Sequence, residues 1–526
     1  MSKTYLGIDL GTSSVKILLT EDARVMERAS VIYEERTPEG WWAAVKKALS
    51  QLSGRKKVSA ISLSSQVGTY IINQKEVIHW NGPEGSTELE ELLKRYPHEV
   101  FLAETGMTHP SLISYPLPRL AYAKKHFSPL TEVIQPKDML IRRLCGKPVT
   151  DPYSWRGLAN ANSLQSDAHL RDEANPEIPG ATQFSAHQPH EANPLNPEAS
   201  HYSRRLLRES ELSENILPPL TSPWSCSGKI TPGAAEETGL PAGTPVYTGL
   251  NDFYAALLGM GISKPGDWFD ITGTSEHLGV ICPSLPAQTD LISSPYLQGA
   301  VCYGVTASSG ASLDFGRKTF PEAIVNSGAQ QIGDSTTQSF SDLGMDNSED
   351  PAPFLPDAPI FLPYLNGERA PIFDPYAKGA FYGITARCTK SHLAYSVLEG
   401  VAFSVYHIYE HLLNNPAASP DYTKALTAQP VVRISGGAGA NPLLTYLKAE
   451  LLQKTFSVVS ETDASALGAV FVAMKGEGAI KGLEETEKLV SVSKEIKPDG
   501  RLRTDLLKRF QLYKDFYTSI KNLRRN

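Results

Sequence analysis

Two short stretches carry residues of the kind that hold anionic groups: Asp9-Leu10-Gly11-Thr12-Ser13 and Asp270-Ile271-Thr272-Gly273-Thr274-Ser275. Each follows a strand-like run, TYLGI or WFDI, and a tight Gly-Thr-Ser turn presents backbone N–H groups and hydroxyls to an anion such as phosphate. Asn251-Asp252 precedes the second of them, at the corner between the strand-like TPVYTGL and the apolar, helix-like FYAALLGMGI. An acid at such a corner can accept a proton from a bound hydroxyl. A base beside an anion cradle suits phosphoryl transfer, which needs a positioned nucleophile and neutralised charge. Alone, each feature has an ordinary alternative. Gly, Thr and Ser populate hairpin turns for conformational reasons, and Asp252 or Asn251 would serve equally as a helix cap.

The repetition argues against those alternatives. Gly11 and Gly273 are separated by 262 positions (273 less 11) in a chain of 526. Near-identical turns at half-chain spacing are the signature of a duplicated domain whose two cradles face one another. The expected organisation is an N-terminal domain over 1–248 and a C-terminal domain over 249–526.

The elements that must position these groups are readable in part. Thr37-Pro38 opens a helix through GWWAAVKKALSQL, with Thr as cap and Pro at the first helical position. The strand VSAISLSS then brings Ser64-Ser65-Gln66-Val67-Gly68 to a strand end, where ligand groups gather in α/β folds. Gln66 is thus a candidate contact for a polyhydroxy ligand. The pattern from Glu84 to Phe127 is helical. About 160–200 there is no sustained periodicity, and the composition reads as an inserted loop. His187, His190 and His201 fall in or beside it without metal-ligand spacing.

Further on, Gly310-Ala311-Ser312 permits close backbone approach of a neighbour or a ligand, and FLPYLNGERAPIFDPYAKGAFYGIT has the composition of an ordered loop. VVRISGGAGANPLLTYLKAELL reads as strand, glycine turn and helix, with Asn441 as cap and Pro442 next. Such a turn lets a flat or anionic ligand lie against bare backbone at a helix N-terminus. It is neither a Walker A loop nor a GxGxxG fingerprint.

Bulk properties bound the answer. With 41% hydrophobic and 20% charged residues the chain is ordinary for a globular protein, and its length calls for more than one domain. A net charge of −7 with no long basic run argues against nucleic acid or an anionic membrane as partner. Five scattered cysteines (Cys145, Cys226, Cys282, Cys302, Cys388) form neither a disulfide framework nor a zinc motif, which points to a reducing compartment. No stretch is apolar enough to span a bilayer, and Asp9 interrupts what could otherwise be a leader. The cytoplasm is the expected location. Self-association as a homodimer stays open.

Taken together and in order, these stretches resemble the FGGY carbohydrate kinases, within the superfamily shared by actin, hexokinase and Hsp70. The likeness covers nearly the whole chain. Gly7 to Ser13 is similar to the family's first phosphate motif and Asp270 to Ser275 to its second. FLPYLNGERAPIFDPYAKGAFYGIT resembles its central stretch, Leu398-Glu399-Gly400-Val401-Ala402-Phe403 its helical signature, Ser435 to Pro442 its adenosine loop and DASALGAVFVA its final core helix. The resemblance implies an α/β fold of two ribonuclease H-like (actin-like ATPase) domains, related by internal duplication and separated by a cleft. It implies transfer of the γ-phosphate of ATP to a hydroxyl of a sugar or polyol, first of all a ketopentose. Asp252 would be the general base and Asp9 would stand near Mg²⁺. Gly11, Thr12, Ser13, Gly273, Thr274, Ser275 and Gly310 would border the phosphates, and Gly436, Gly437 and Asn441 the adenosine. Gln66, Trp155 or its neighbour Arg156, and Asn251 are candidate sugar contacts.

Several positions depart from the family pattern. Gln66-Val67-Gly68 stands where the family's xylulose and gluconate kinases usually carry Met-His. Trp80-Asn81-Gly82-Pro83 is reduced from Trp-x-Asp-x-Arg, Phe253 and Tyr254 follow the base where smaller or amide residues are commoner, and Gly439 replaces a frequent lysine. These departures leave the particular sugar open. Other polyhydroxy substrates (gluconate, glycerol or another polyol, another ketose), a non-sugar ATPase of the actin or Hsp70 kind, and a silent sugar-binding relative are the rival readings.

Overall fold

The structure is a computed structural model that describes residues 2–107, 112–160, 201–286, 290–297, 299–320, 352–415 and 419–523. The segment read as an insertion lies outside the described residues except for Asn160, as do His187 and His190.

Two mixed sheets organise the chain. The first contains β1 (Thr4–Leu10), β2 (Ser14–Glu21), β3 (Arg24–Ile32), β4 (Ala60–Ser65), β5 (Cys226–Lys229) and β6 (Pro245–Asn251) in the order β5-β6-β4-β1-β2-β3. The second contains β7 (Trp268–Thr272), β8 (Glu276–Cys282), β9 (Ile292–Tyr296), β10 (Gly299–Thr306), β11 (Val431–Gly436), β12 (Thr455–Val459) and β13 (Val492–Ile496) in the order β9-β10-β8-β7-β11-β12-β13. Their connectivity repeats. An antiparallel run, β1-β2-β3 or β7-β8-β10, is followed by two strands added in parallel beside its first member, β4 and β6 or β11 and β12. The duplication expected from the two turns is therefore a repeat of the whole sheet topology.

Helices α1 (Pro38–Ser50) and α2 (Pro136–Cys145) cover the outer face of the first sheet, joined to it by a core that includes Leu6, Ile8, Leu10, Trp41 and Leu140. Thr37 caps α1 as its sequence requires, accepting from the Gly40 N–H at 3.1 Å. Between the sheets lie α3 (Asp252–Gly259) and α4 (Ala464–Gly476). They follow the equivalent strands β6 and β12, so they are the same helix of the two repeats. They pack on each other reciprocally: a Cβ on Gly259 would sit 1.9 Å from the Ala464 carbonyl oxygen, and one on Gly468 1.8 Å from that of Ala255. The two glycines are not at equivalent positions of the two helices (Gly259 corresponds to Phe471 and Gly468 to Ala256), but each lets the partner backbone approach where a side chain would clash. The buried layer they form joins Tyr5 and Leu250 of the first sheet to Phe269 and Val301 of the second.

A smaller unit sits beside the first sheet, built on a three-stranded sheet of Tyr70–Ile72, Glu76–Ile78 and Val133–Ile134. Its loop at Trp80 is held by Arg119, whose guanidinium is buried and donates to the carbonyls of His79, Trp80 and Gly82 and to Glu84.

Candidate active site

Asp9, near the C-terminal end of β1, and Asp252, at the start of α3 directly after β6, stand at the same end of the first sheet with β4 between their strands. Asp9 is on the face of β1 that looks toward α3 and α4, since its neighbours alternate: Tyr5 belongs to the layer between the sheets, whereas Leu6, Ile8 and Leu10 belong to the outer core. Its Oδ1 accepts from Ser64 Oγ at 2.8 Å, across the parallel pairing of β1 with β4. Burial pushes its pKa up to about 6 against the pull of Ser64 and Lys16. Asp252 is the first residue of α3. The helix is capped not by it but by Asn251, whose Oδ1 accepts from the Tyr254 N–H at 3.1 Å while its Nδ2 donates to the Tyr153 carbonyl at 2.9 Å. Both polar atoms of the Asn251 amide are thereby engaged, and Asp252 is released from capping; its Oδ1 accepts from the Phe253 N–H at 2.8 Å. Burial and then the charge of Asp9 push the Asp252 pKa up to about 7, opposed by the Phe253 N–H and by Arg156. A carboxylate that titrates near neutrality beside a second carboxylate can take a proton at working pH and give it up again.

The second repeat does not offer this pair. Asp463, which precedes α4 as Asn251 precedes α3, is bound by Lys16 Nζ at 2.8 Å. Asp270, read from the sequence as the counterpart of Asp9, is not its counterpart. One residue more separates it from its turn, and in a strand one residue changes the face. Ile271 takes the position of Asp9 against the inter-sheet layer, and Asp270 points into the opposite core. There Lys448 of α5 (Pro442–Leu452) binds Asp270 Oδ2 at 2.9 Å and Glu276 Oε1, and Ser309 Oγ donates to Glu276 Oε2 at 2.5 Å. All three charged side chains are fully buried. Burial and the Glu276 charge drive the Asp270 pKa well up; at Glu276 burial is outweighed by Lys448 and its hydrogen bonds, and the pKa falls.

This cluster ties together the pieces expected to hold a nucleotide. The second turn, exposed at Gly273 and Thr274, is closed by the Gly273 N–H to Ser275 carbonyl bond at 2.8 Å. It rests on the helix Ser309–Thr319, where the Gly310 N–H donates to the Gly273 carbonyl at 3.0 Å. Gly310 is accordingly committed to the turn, the neighbour rather than the ligand alternative: a Cβ there would lie 2.3 Å from the Gly273 oxygen. Thr272 Oγ1 donates to the Ser435 carbonyl at 3.0 Å and accepts from the Gly439 N–H at 3.2 Å, pinning the glycine loop to β7. Asn441 caps α5 through the Leu444 N–H at 2.9 Å, as its sequence predicts. Gly437 is exposed on the loop, and Gly436 has φ +101° with the Thr272 carbonyl oxygen 1.9 Å from where a Cβ would be. Gly436→Ala is therefore expected to displace the loop from the turn and weaken ATP binding by about tenfold or more, the factor set by roughly 1–3 kcal/mol of backbone strain. Calorimetric titration with ATP or ADP measures it; unchanged affinity would place the nucleotide elsewhere.

The first turn is simpler. Gly11 N–H donates to the Ser14 carbonyl at 3.0 Å, Tyr33 Oη donates to the Gly11 carbonyl at 3.3 Å, and Ser13 is exposed.

A cavity of about 530 Å³ opens between the two halves beside this centre. Gly68, Trp80 and Tyr115 line it from the first half, and His277, Tyr303 and Arg369 from the second. Asp252 is not in its lining but stands directly behind it. The next residue, Phe253, lies 4.7 Å from the Tyr303 ring and 5.7 Å from that of His277, and Arg156 of the wall lies over the Phe253 and Tyr254 rings at 5.7 and 5.5 Å. Trp155 does not reach the cavity: it is fully buried between Tyr70 and Tyr202, and its neighbour Arg156 lines the wall instead. Gln66 is also turned inward, accepting from Thr69 Oγ1 at 3.3 Å, so Val67 and Gly68 form the surface that the sequence assigned to it. His277, Arg369 and Lys448 were not singled out from the sequence. Lys448 alone carried a local signal, as a lysine among Leu444, Leu447 and Leu451 on an apolar helical face.

Known proteins agree with this architecture. The chain aligns over its length with solved kinases of sugars and sugar acids: xylulose kinase from Lactobacillus acidophilus (TM-score 0.76, 20% identity, 99% of this chain and 98% of that one) and gluconate kinase from the same organism (TM-score 0.75, 21% identity, 99% and 98%). These likenesses define the class as the two-domain, actin-like fold. Residues 271–477 match the C-terminal domain of the FGGY family of carbohydrate kinases, and the xylulose kinase of Bacillus subtilis (strain 168) is 25% identical over 99% of this chain and 98% of its own. The match assigns residues 271–477 to the FGGY family of carbohydrate kinases, and the chain is a carbohydrate kinase, an ATP-dependent phosphotransferase. Among the described residues no helix is long and apolar enough to cross a membrane.

Proposed function

We propose that Asp252 is the general base of this kinase and that the cavity between the halves receives the acceptor, a sugar or another polyhydroxy compound. The observation that carries the reading is the position of Asp252: in no ion pair among the described residues, released from capping by Asn251, within reach of the Asp9 charge and behind the cavity wall. The boundary expected between 248 and 249 falls inside β6, so the N-terminal half runs on through α3 and supplies the acceptor side, Asp252 and the first turn; the C-terminal half supplies the second turn and the glycine loop. A hydroxyl at the back of the cavity loses its proton to Asp252 as its oxygen attacks the γ-phosphate. The Gly11-Thr12-Ser13 and Gly273-Thr274-Ser275 turns hold phosphate oxygens from opposite sides.

Mg²⁺ fits the residues present. Asp9 offers a carboxylate with one oxygen held by Ser64, and Mg²⁺ in such sites is held by one or two carboxylates together with the nucleotide phosphates. It would neutralise phosphate charge when bound. Trp155 and Asn251 are structural in this reading, and Gly310 supports the turn rather than the nucleotide. We place the reaction in the cytoplasm.

Xylulose and gluconate, the substrates named for the similar kinases, are the first acceptors to try. The test is a screen of ADP release across ketoses, polyols and sugar acids. At least one acceptor is expected to raise release well above the ATP-only background; none doing so would remove the acceptor-site reading.

A further inference from the structure

Among the described residues the walls of the cavity carry two arginines, a histidine and one amide, Asn81, and no aspartate or glutamate. A neutral sugar is commonly held by carboxylates and amides that accept from its hydroxyls, so this lining is unbalanced for such a ligand. Arg156 makes the imbalance acute. Arg156 is half-buried; its Nε and Nη1 are buried without a hydrogen-bond partner, the guanidinium bonds only to the neutral Tyr254 hydroxyl, and no carboxylate pairs with it among the described residues. The rings of Phe253 and Tyr254 under the guanidinium compensate only part of its desolvation. A guanidinium with two buried N–H groups unmet and no counter-charge is costly unless a ligand supplies the missing acceptors.

Arg369 faces the same cavity from the opposite half. It is exposed, and it lies in the loop between the short strands Ile360–Leu362 and Ala380–Tyr382. That loop is held in place by Glu368, which accepts from the Ala307 N–H at 2.6 Å. His277, between the two arginines, is held neutral: burial and their charges push its pKa down to about 4. It adds a hydrogen-bonding edge without adding charge, and its Nδ1 is buried without a partner.

We propose that the acceptor of this kinase carries an oxyanion, a carboxylate or a phosphate, on the part of the molecule remote from the accepting hydroxyl, and that Arg156 and Arg369 bind it from the two halves. A planar guanidinium matches either group through two parallel N–H···O bonds. Because the arginines come from opposite halves, the anion bridges the cleft, and its binding favours the closed arrangement that brings hydroxyl, Asp252 and phosphate together. The proposal rests on the cavity being the acceptor site.

The experiment compares acceptors matched in length and differing in charge: aldonates, ketose phosphates and neutral ketoses or polyols. Wild type, Arg156→Gln and Arg156→Lys are assayed by ADP release, and binding of the same compounds to Asp252→Asn is followed by Trp80 fluorescence or calorimetry. The expected result is kcat/KM at least tenfold higher for an anionic acceptor than for its neutral match. Arg156→Gln should lower that ratio by tenfold or more, and Arg156→Lys should retain part of it. Taking the ratio removes the influence of Arg156 on Asp252, which acts on both acceptors alike. Whether the aldonate or the ketose phosphate arm responds identifies the anion. A neutral acceptor preferred by wild type, or a ratio indifferent to Arg156→Gln, overturns the proposal. If anionic compounds bind the Asp252→Asn protein with Arg156 dependence but no acceptor supports turnover in wild type, the anion site stands and the base assignment fails.

Discussion

Asp252→Asn abolishes acceptor-dependent ADP release, lowering kcat by about a hundred- to ten-thousandfold, the range general bases contribute, while ATP binds as before. The two effects separate because of where the residue sits. The Asp252 carboxylate accepts from backbone N–H groups at its own helix start, and among the described residues it makes no hydrogen bond to the second turn, the glycine loop or α5. Asparagine keeps the size and the acceptor for the Phe253 N–H but cannot take a proton. Steady-state kinetics with a turnover-supporting acceptor, alongside calorimetry with ADP, make the measurement. Loss of nucleotide binding together with turnover would mean that the residue holds the fold of the cleft rather than the proton.

The same residue sets two pH dependences. With its pKa pushed up to about 7, Asp252 is protonated and idle in acid, so kcat/KM for the acceptor rises with pH and levels off above about 7. Stability runs the other way. The folded pKa lies above the unfolded value of 3.8, so the folded state binds the extra proton between the two values. Stability associated with this group is complete below the unfolded pKa and is lost as pH rises through about 7. Asp252→Asn should therefore raise the thermal midpoint at pH 8, with the gain shrinking as the pH falls from 7 toward 4. A variant no more stable than wild type at pH 8 contradicts the buried charge.

What could be read from the sequence was local. A strand, a Gly-Thr-Ser turn and a returning strand lie within a dozen residues, so both hairpins, the Thr37 and Asn441 caps and the helix after Asn251 were visible before any packing was known. Half-chain spacing also made the duplication visible. Asp270 shows the limit. Its motif reads like that of Asp9, yet one inserted residue puts it on the other face of its strand, and only the alternation of buried neighbours reveals this. Trp155 and Arg156 are the corresponding case in a loop: sequence placed the pair near the ligand, but which of the two faces it depends on Tyr70 and Tyr202 closing around the tryptophan. The meeting of Arg156 with Arg369 and His277 spans both halves and has no local trace at all.

Lys448→Met is the substitution expected to cost the fold most. Lys448 is the only cation in contact with Asp270 and Glu276 among the described residues, and none of the three is exposed. Methionine fills the volume but leaves two buried carboxyls facing each other, Asp270 already with an unpartnered Oδ1. Removing one member of a buried ion pair typically costs about 3–5 kcal/mol, because the remaining charge is uncompensated. The loss should be largest at high pH and smaller at pH 5, where protonation relieves the repulsion. Adding Glu276→Gln to Lys448→Met should recover part of the stability, since one of the stranded charges is then gone; a double-mutant cycle isolates that coupling. The functional consequence follows from the same contacts. Asp270 and Glu276 flank the second turn on β7 and β8, Ser309 begins the helix beneath it, and Lys448 belongs to the helix that the glycine loop enters. In whatever fraction remains folded, KM for ATP should rise while binding of the acceptor is kept. A Lys448→Met protein as stable as wild type, with unchanged KM for ATP, would falsify the role of this buried cluster in holding the two nucleotide segments in register.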